Sequence, residues 1–306
     1  MNLAPISRDS LDAFKSVIDR ARITLNADVE SDLSRMVTGV PDLQASRTLD
    51  QRAASFIRKA EHQGAGLRSI ASTAVVASLA LQLCGRLSKS ALPDSVLEQF
   101  PVRLARLASS VTADDLRGYG PGDESFLKDL RTVSGHFVPC GPQDVDLFGT
   151  ITRLSGLKSV VTQHELRNGL RVFGVSGPTW FRIHTDSRYL DDFNESGWER
   201  CYHRIADLLS SRPWVKGMVG TAWIYDPQLL EISPRLAYLQ RKPTQHGAFL
   251  VRHGPGKIHT QRALHGIPRA DPRRARYDAG SYVPICYSLV WPRKELLGWS
   301  ARNRSL

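Results

Sequence analysis

Histidine, aspartate and arginine come together in one short run, His184-Thr-Asp186-Ser-Arg188, at the end of an expected strand. Side chains two positions apart share one side of a strand. Asp186 can therefore orient the His184 imidazole or raise its pKa. A strand end that opens into a loop aims such groups into a cleft. Two chemistries use the pair. One is metal-free catalysis or substrate binding, with Arg188 supplying a fork of donors. The other is the facial triad of non-haem Fe(II), in which a later histidine, His246 or His253, joins His184 and Asp186.

Other chemically capable residues lie further along. Arg273-Arg274-Ala-Arg276 spaces three guanidinium groups for an anion clamp. They belong to a basic quarter. Residues 228–306 hold 14 Lys and Arg against 4 Asp and Glu, whereas residues 1–227 are nearly balanced. Such a face attracts polyanions: nucleic acid, acidic lipid headgroups or the phosphates of a nucleotide-bearing cofactor. Trp198, Tyr202, Trp223, Tyr225 and Tyr238 recur at helical and strand spacing. They make core, or the wall of a pocket for an acyl or flat ligand. His246, His253, His259 and His265 fit no common zinc spacing. Gly-x-Ser-x-Gly, P-loop and Gly-x-Gly-x-x-Gly motifs do not occur. Their absence takes most of the support from serine-elbow, NTPase and dinucleotide-dehydrogenase readings.

The elements that must position these residues change character along the chain. Residues 10–110 read as helices, with Leu11, Phe14, Ile18, Ala21 and Leu25 spaced by three or four. An Ala-rich helix is predicted over 67–84. Its most apolar run, Thr73–Leu83, is shorter than the roughly 20 residues of a membrane span, so a buried helix and no transmembrane segment are expected. A turn cluster at Tyr119 divides a helical region, 1–120, from a sheet domain, 121–306. Helices are predicted over 124–133 and 144–154. Two strands then flank Asn168-Gly169 as a hairpin, and a third ends at His184. Asn194 or Ser196 caps a helix over 197–209. Strands follow at 214–225, 247–251 and 282–291, and Pro284 places the last at a sheet edge. Leu229–Leu239 is a helix broken by Pro234. The predicted fold class is α+β: an N-terminal helical region packed on a C-terminal mixed, mostly antiparallel sheet with flanking helices.

Meander, helix, strand, helix, strand over residues 160–291 resembles the second half of the GNAT acyltransferase fold. The resemblance implies an enzyme that uses a CoA- or carrier-bound acyl donor, with acyl-CoA lying in a gap between two splayed strands. It implies His184 or Asp186 as general base and Tyr225 as the acid towards a leaving thiolate. The family's phosphate loop falls at 186–198, where this chain reads DSRYLDDFNESGW, without the glycine pattern. The basic segment 241–276 is then expected to hold the phosphates. Arg188, Trp223, Arg273, Arg274 and Arg276 are the expected donor- or substrate-binding residues. The remaining alternative is a non-enzymatic module that binds nucleic acid or a partner through the basic face. Cys84, Cys140, Cys201 and Cys286 are scattered without a CxxC pair, as in a reduced, cytoplasmic chain. The opening residues have no basic run followed by an apolar core, so no secretory leader is expected.

Overall fold

Ser7 starts the first helix, its hydroxyl accepting the Ser10 N–H. The computed structural model describes residues 6–25, 31–35, 47–64, 66–113, 116–151, 162–175 and 177–304. The chain divides into two units, Met1–Cys140 with Asp186–Arg188, and Gly141–Thr185 with Tyr189–Leu306.

The first unit is helical. Its longer helices are α1 (Arg8–Thr24), α2 (Arg47–Glu61), α3 (Leu67–Leu87), α4 (Phe100–Val111) and α5 (Glu124–Val133), followed by a short strand, β1 (Phe137–Pro139). Phe14 and Ala21 of the expected face are buried in α1, and Leu25 just after it, while Val17 is buried where the spacing predicts Ile18, which is half-buried. Among the described residues α3 alone is long and apolar enough to cross a bilayer. Ala71, Val75, Leu79 and Leu83 are buried, and α3 packs on α1 and α2. Asp123 caps α5 by accepting the Phe126 N–H at 2.8 Å.

The second unit carries the sheet. In chain order it comprises β2 (Gln143–Ile151), α6 (Gln163–Val175), β3 (Gly177–Thr185), α7 (Glu195–Ser210), β4 (Gly217–Ala222), α8 (Tyr238–Gln245), β5 (Phe249–Pro255), α9 (Lys257–Leu264), α10 (Pro272–Asp278), β6 (Ile285–Pro292) and α11 (Arg293–Asn303). Its strands lie in the order β2-β3-β4-β6-β5. The pair β3/β4 is parallel, and the other pairs are antiparallel. The unit is thus α+β with an open mixed sheet. Val172 of α6 joins Trp180, Val219, Val290 and Phe249 in one core cluster. Tyr202 of α7 packs edge-on against Trp198, Trp291 and Trp299 in an aromatic one.

Three expected elements differ. The hairpin at Asn168-Gly169 is instead helical, within α6. Thr162 and Glu165 close a reciprocal capping box, each main-chain N–H donating to the other's side chain at 2.9 and 3.2 Å. That box starts a helix which outweighs the turn preference of Asn-Gly. Of the first flank of that hairpin, 160–164, residues 160–161 lie outside the described residues and 163–164 begin the helix. The helix expected over 144–154 is β2, whose Asp-Val-Asp-Leu alternation has a period of two. Gly149 sits at its register shift, where a Cβ would stand 2.6 Å from the Trp180 carbonyl oxygen. The strand after Pro284 is internal, not an edge: β6 lies between β4 and β5, and Pro284 precedes its first residue. The helix read over 229–239 is two short pieces, Leu229–Ile232 and Pro234–Leu236, parted at Pro234.

Candidate active site

The register of β3 with β4 runs from Phe181–Met218 to Ile183–Gly220 and ends there. Both strands continue. β3 keeps β2 as partner as far as Thr185, and β4 keeps β6 as far as Ala222. The parallel strands therefore run on past their last shared pair without a common ladder. β4 and β5 are both antiparallel to β6, so β3, β4 and β5 end on the same edge of the sheet. That edge is the usual address of a ligand in an open α/β sheet.

Tyr225 folds back against the last shared pair. A single 3-10 turn, Trp223–Tyr225, follows β4. A Cβ at Gly220 would stand 2.7 Å from the Tyr225 hydroxyl and 2.8 Å from Ile183 Cγ1. Glycine leaves room for the phenol beside the last shared pair. Tyr225 is 2% exposed. Burial, and next the nearby Cys201, push its pKa well above the ordinary 10.0. It is a neutral O–H donor through neutral and mildly alkaline pH. Asp226 holds the turn in place. Its carboxylate accepts the Gln228 N–H at 3.1 Å and the Ile285 N–H at 3.0 Å. Burial pushes that carboxyl up.

His184 stands on β3 opposite Asp144, one residue past Ile183. Its Nε2 is 4.0 Å from Asp146 Oδ2, with the side chain 30% exposed. Across the same edge runs a hydrogen-bonded line. Thr221 Oγ1 is 2.6 Å from Ser288 Oγ, and Ser288 Oγ is 2.7 Å from His253 Nε2. The sequence alone does not show this line, because it requires β6 to be placed between β4 and β5.

Asp186 and Arg188 belong to the first unit, where they enter a buried ionic network. Arg188 forks onto Asp129 at 2.9 and 2.7 Å and bonds Asp186 at 2.7 Å. Arg103 lies 3.6 Å from Asp186, and Tyr119 donates to Asp129 at 2.8 Å. Burial works to raise the Asp186 carboxyl, but the hydrogen bonds and charge of Arg188 outweigh it and hold the group below the ordinary 3.8. Burial leaves Asp129 raised. The carboxylate near the His184 ring within its own unit is Asp146.

The helix terminus that the resemblance assigns to phosphate is occupied by the chain itself. Asn194 caps α7, accepting the Gly197 N–H at 2.9 Å. A Cβ at Gly197 would overlap the Asp192 carbonyl oxygen, so this glycine serves a loop folded back onto the helix. Asp192 pairs with Arg200 at 2.9 Å, and Glu195 lies 3.8 Å from Lys242. In the basic quarter, Arg273 is 4% exposed, bonds Asp271 at 3.0 Å and stacks 5.4 Å above the Trp223 ring. Arg274 pairs with Asp278 at 3.0 Å, and Arg276 is exposed. Arg273 and Trp223 thus come together, while Arg273 and Arg274 are held by separate carboxylates. At the carboxyl end of β5, Gly256 precedes α9 without a side-chain cap. A cavity of about 510 Å³ opens there, lined by Gly256, Lys257, Gln261 and Tyr277 among others.

The facial triad is not assembled. Among the described residues no three His, Cys, Asp or Glu side chains converge to hold a metal. Asp186 is taken by arginines, and His246 follows α8, ahead of the amino end of β5, away from the edge where β3 ends. Its ring lies tilted 6.5 Å from Trp299. His253, the other histidine considered, meets Ser288.

No protein-family model matches the chain, and no curated protein matches it. Among solved structures, an acyltransferase mutant in complex with octanoyl-CoA is similar, with a TM-score of 0.50 and 13% identity over 94% of this chain and 88% of that one. An acyltransferase in complex with decanoyl-CoA and teicoplanin is similar at 0.49 and 14% identity over the same shares. At a TM-score of 0.50 and that identity, the first likeness is one of fold.

Proposed function

We propose that the second unit transfers an acyl group from a CoA thioester to a nucleophilic acceptor at the carboxyl ends of β3 and β4. One observation carries this reading. Register between the two strands stops at Ile183 and Gly220 while each strand continues with its other neighbour. A thioester entering there meets main-chain N–H groups, which polarise its carbonyl and stabilise the tetrahedral oxyanion. The fold shared with an acyltransferase that holds octanoyl-CoA supports the same donor class.

The residues divide the proton transfers. The acceptor attacks the thioester carbon, the C–S bond breaks, and the sulfur leaves as thiolate. Tyr225, neutral beside Gly220 and Ile183, gives the thiolate its proton. His184 lies one residue past Ile183, on the opposite face of β3 from Tyr225. With Asp146 4.0 Å away, it takes the proton of an acceptor that reaches the strand end from that face. Asp186, held by Arg188 and Arg103, has a structural part. With the α7 terminus closed by its own loop, the phosphates go to the cavity at α9. There Lys257 and the main-chain N–H groups after Gly256 offer an anion site. β5 stands two strand spacings, about 10 Å, from β4, within reach of the extended arm of CoA.

The test is thiol release from octanoyl-CoA, with water or an added amine as acceptor, followed together with thermal stabilisation by CoA. Wild type is expected to be stabilised by CoA and to release thiol. Tyr225→Phe should keep the stabilisation and lose about 10²-fold or more in rate. Neither stabilisation nor thiol release by the wild-type protein would sink the reading.

A further inference from the structure

A second cavity, of about 400 Å³, lies in the second unit between α6 and α8 beside β5, the outermost strand. Neither His184 nor Tyr225 lines it. Its walls are of two kinds. Leu230, Phe249 and Leu250 supply an apolar surface, while Arg171 and Arg241 supply two cations.

Both arginines are exposed. Among the described residues neither pairs with a carboxylate, although the same unit pairs Arg200, Lys242, Arg252, Arg273 and Arg274 with acids. Arg171 is held in place, its guanidinium 4.0 Å from the centre of the Phe249 ring. Asn168 and His164 bond each other at 3.1 Å along the α6 wall, and Thr244 lines the α8 wall. The α8 wall is fixed too. Gln240 donates to the Ile224 and Asp226 carbonyls at 3.1 and 2.8 Å.

We propose that this cavity binds a small organic carboxylate with an apolar body. The carboxylate meets the forks of Arg171 and Arg241, which suit its two oxygens. The body rests on Leu230 and Leu250. The volume falls within the range of small-molecule sites, and an apolar lining with a few convergent polar groups is their usual make-up. This inference does not depend on acyl transfer, since binding is measured with no donor present.

Titration calorimetry with sodium hexanoate tests it, with hexanol and inorganic phosphate as controls. Hexanoate should saturate one site in the millimolar range or tighter. Hexanol lacks the charge and phosphate lacks the body, so each should bind about tenfold more weakly or not at all. Arg241→Gln should weaken hexanoate about tenfold, and Arg171→Gln with Arg241→Gln should abolish binding. Both side chains are exposed, so the variants should fold. On the wild-type protein, amide shifts on adding hexanoate should centre on Asn168 and Thr244, a readout independent of any variant. No saturable binding, equal binding of phosphate, an unaffected double variant, or shifts centred elsewhere would each overturn the proposal.

Discussion

The Tyr225 hydroxyl occupies the space that a side chain at Gly220 would need, 2.7 Å from the position of its Cβ. That relationship makes a stability prediction independent of catalysis. Gly220→Ala should overpack the end of the parallel pair and cost about 1–3 kcal/mol. Tyr225→Phe removes the oxygen, so Gly220→Ala should cost less in that background, by at least about 0.5 kcal/mol. Relief should be partial, because Ile183 Cγ1 and Cδ1 lie 2.8 and 2.9 Å from the same point. Urea unfolding of the four proteins measures the coupling. Equal costs in both backgrounds would mean the phenol is not at Gly220.

Arg188 neutralises two carboxylates that are 3% exposed each, Asp129 and Asp186. Arg188→Met leaves Asp186 with Arg103 and the charge of Lys128 nearby, and Asp129 with the Tyr119 hydroxyl. The loss should be about 3 kcal/mol or more, the usual cost of stranding a buried charge. The pH dependence has a definite sign. Asp186 is held below 3.8, so its contribution is present above 3.8 and is lost as pH falls through its lowered value. Arg188→Met removes that acid-labile contribution, so the gap in stability between wild type and variant should narrow as pH falls below 3.8. Circular dichroism through an acid titration checks both points.

The helices were legible in the sequence where one face alone is buried. Phe14 and Ala21 fix α1 as expected, with Val17 in place of Ile18, and Asn194 caps α7 as its residue type implies. Pro234 parts two short helices for the expected reason, a missing N–H. The failures were competitions between local signals and partners far along the chain. Asn168-Gly169 favours a turn, but the Thr162–Glu165 box starts a helix through it. Pro284 disfavours a central strand, yet it lies one residue outside β6 and removes no ladder bond from it. At the site, Tyr225 is expected at the end of a strand over 214–225 but lies past β4, in the 3-10 turn after Ala222, and Gly220 reads as an ordinary strand glycine until Tyr225 folds back. The end of the β3/β4 pairing has no sequence signal, because it depends on how two separate strands meet. Asp186 and Arg188 show the opposite case, a chemically suggestive run whose partners, Asp129 and Arg103, lie in another segment.

His203 supplies a second pH dependence, near neutrality. Its ring stacks on Trp299 at 4.5 Å and 24°, and Nδ1 is 2.9 Å from Ser300 Oγ. Burial, and then the charge of Arg304, hold its pKa below 6.5. A lowered value means that stability is present above 6.5 and is lost as pH falls through the folded-state value. Wild type should therefore lose stability between about pH 7 and pH 5, and His203→Gln, which cannot take the proton, should lose less over that interval. Urea midpoints at the two ends of the range decide it. An identical loss in both proteins would assign the effect to another group.

Ser288 joins three strands through one oxygen, reached by Thr221 on β4 and by His253 on β5. Ser288 is 6% exposed, so Ser288→Ala removes both bonds with little access for water to replace them. A cost of about 1–2 kcal/mol is expected. Its effect on thiol release should be smaller than about tenfold, because the proton transfers fall to His184 and Tyr225. His184→Gln, by contrast, should slow release about 10²-fold with little change in stability. The two variants thus separate a line that stitches the sheet from a group that moves a proton. If Ser288→Ala slowed release as much as His184→Gln while costing no stability, the line through His253 would be the route of the acceptor's proton, and His184 would lose that part.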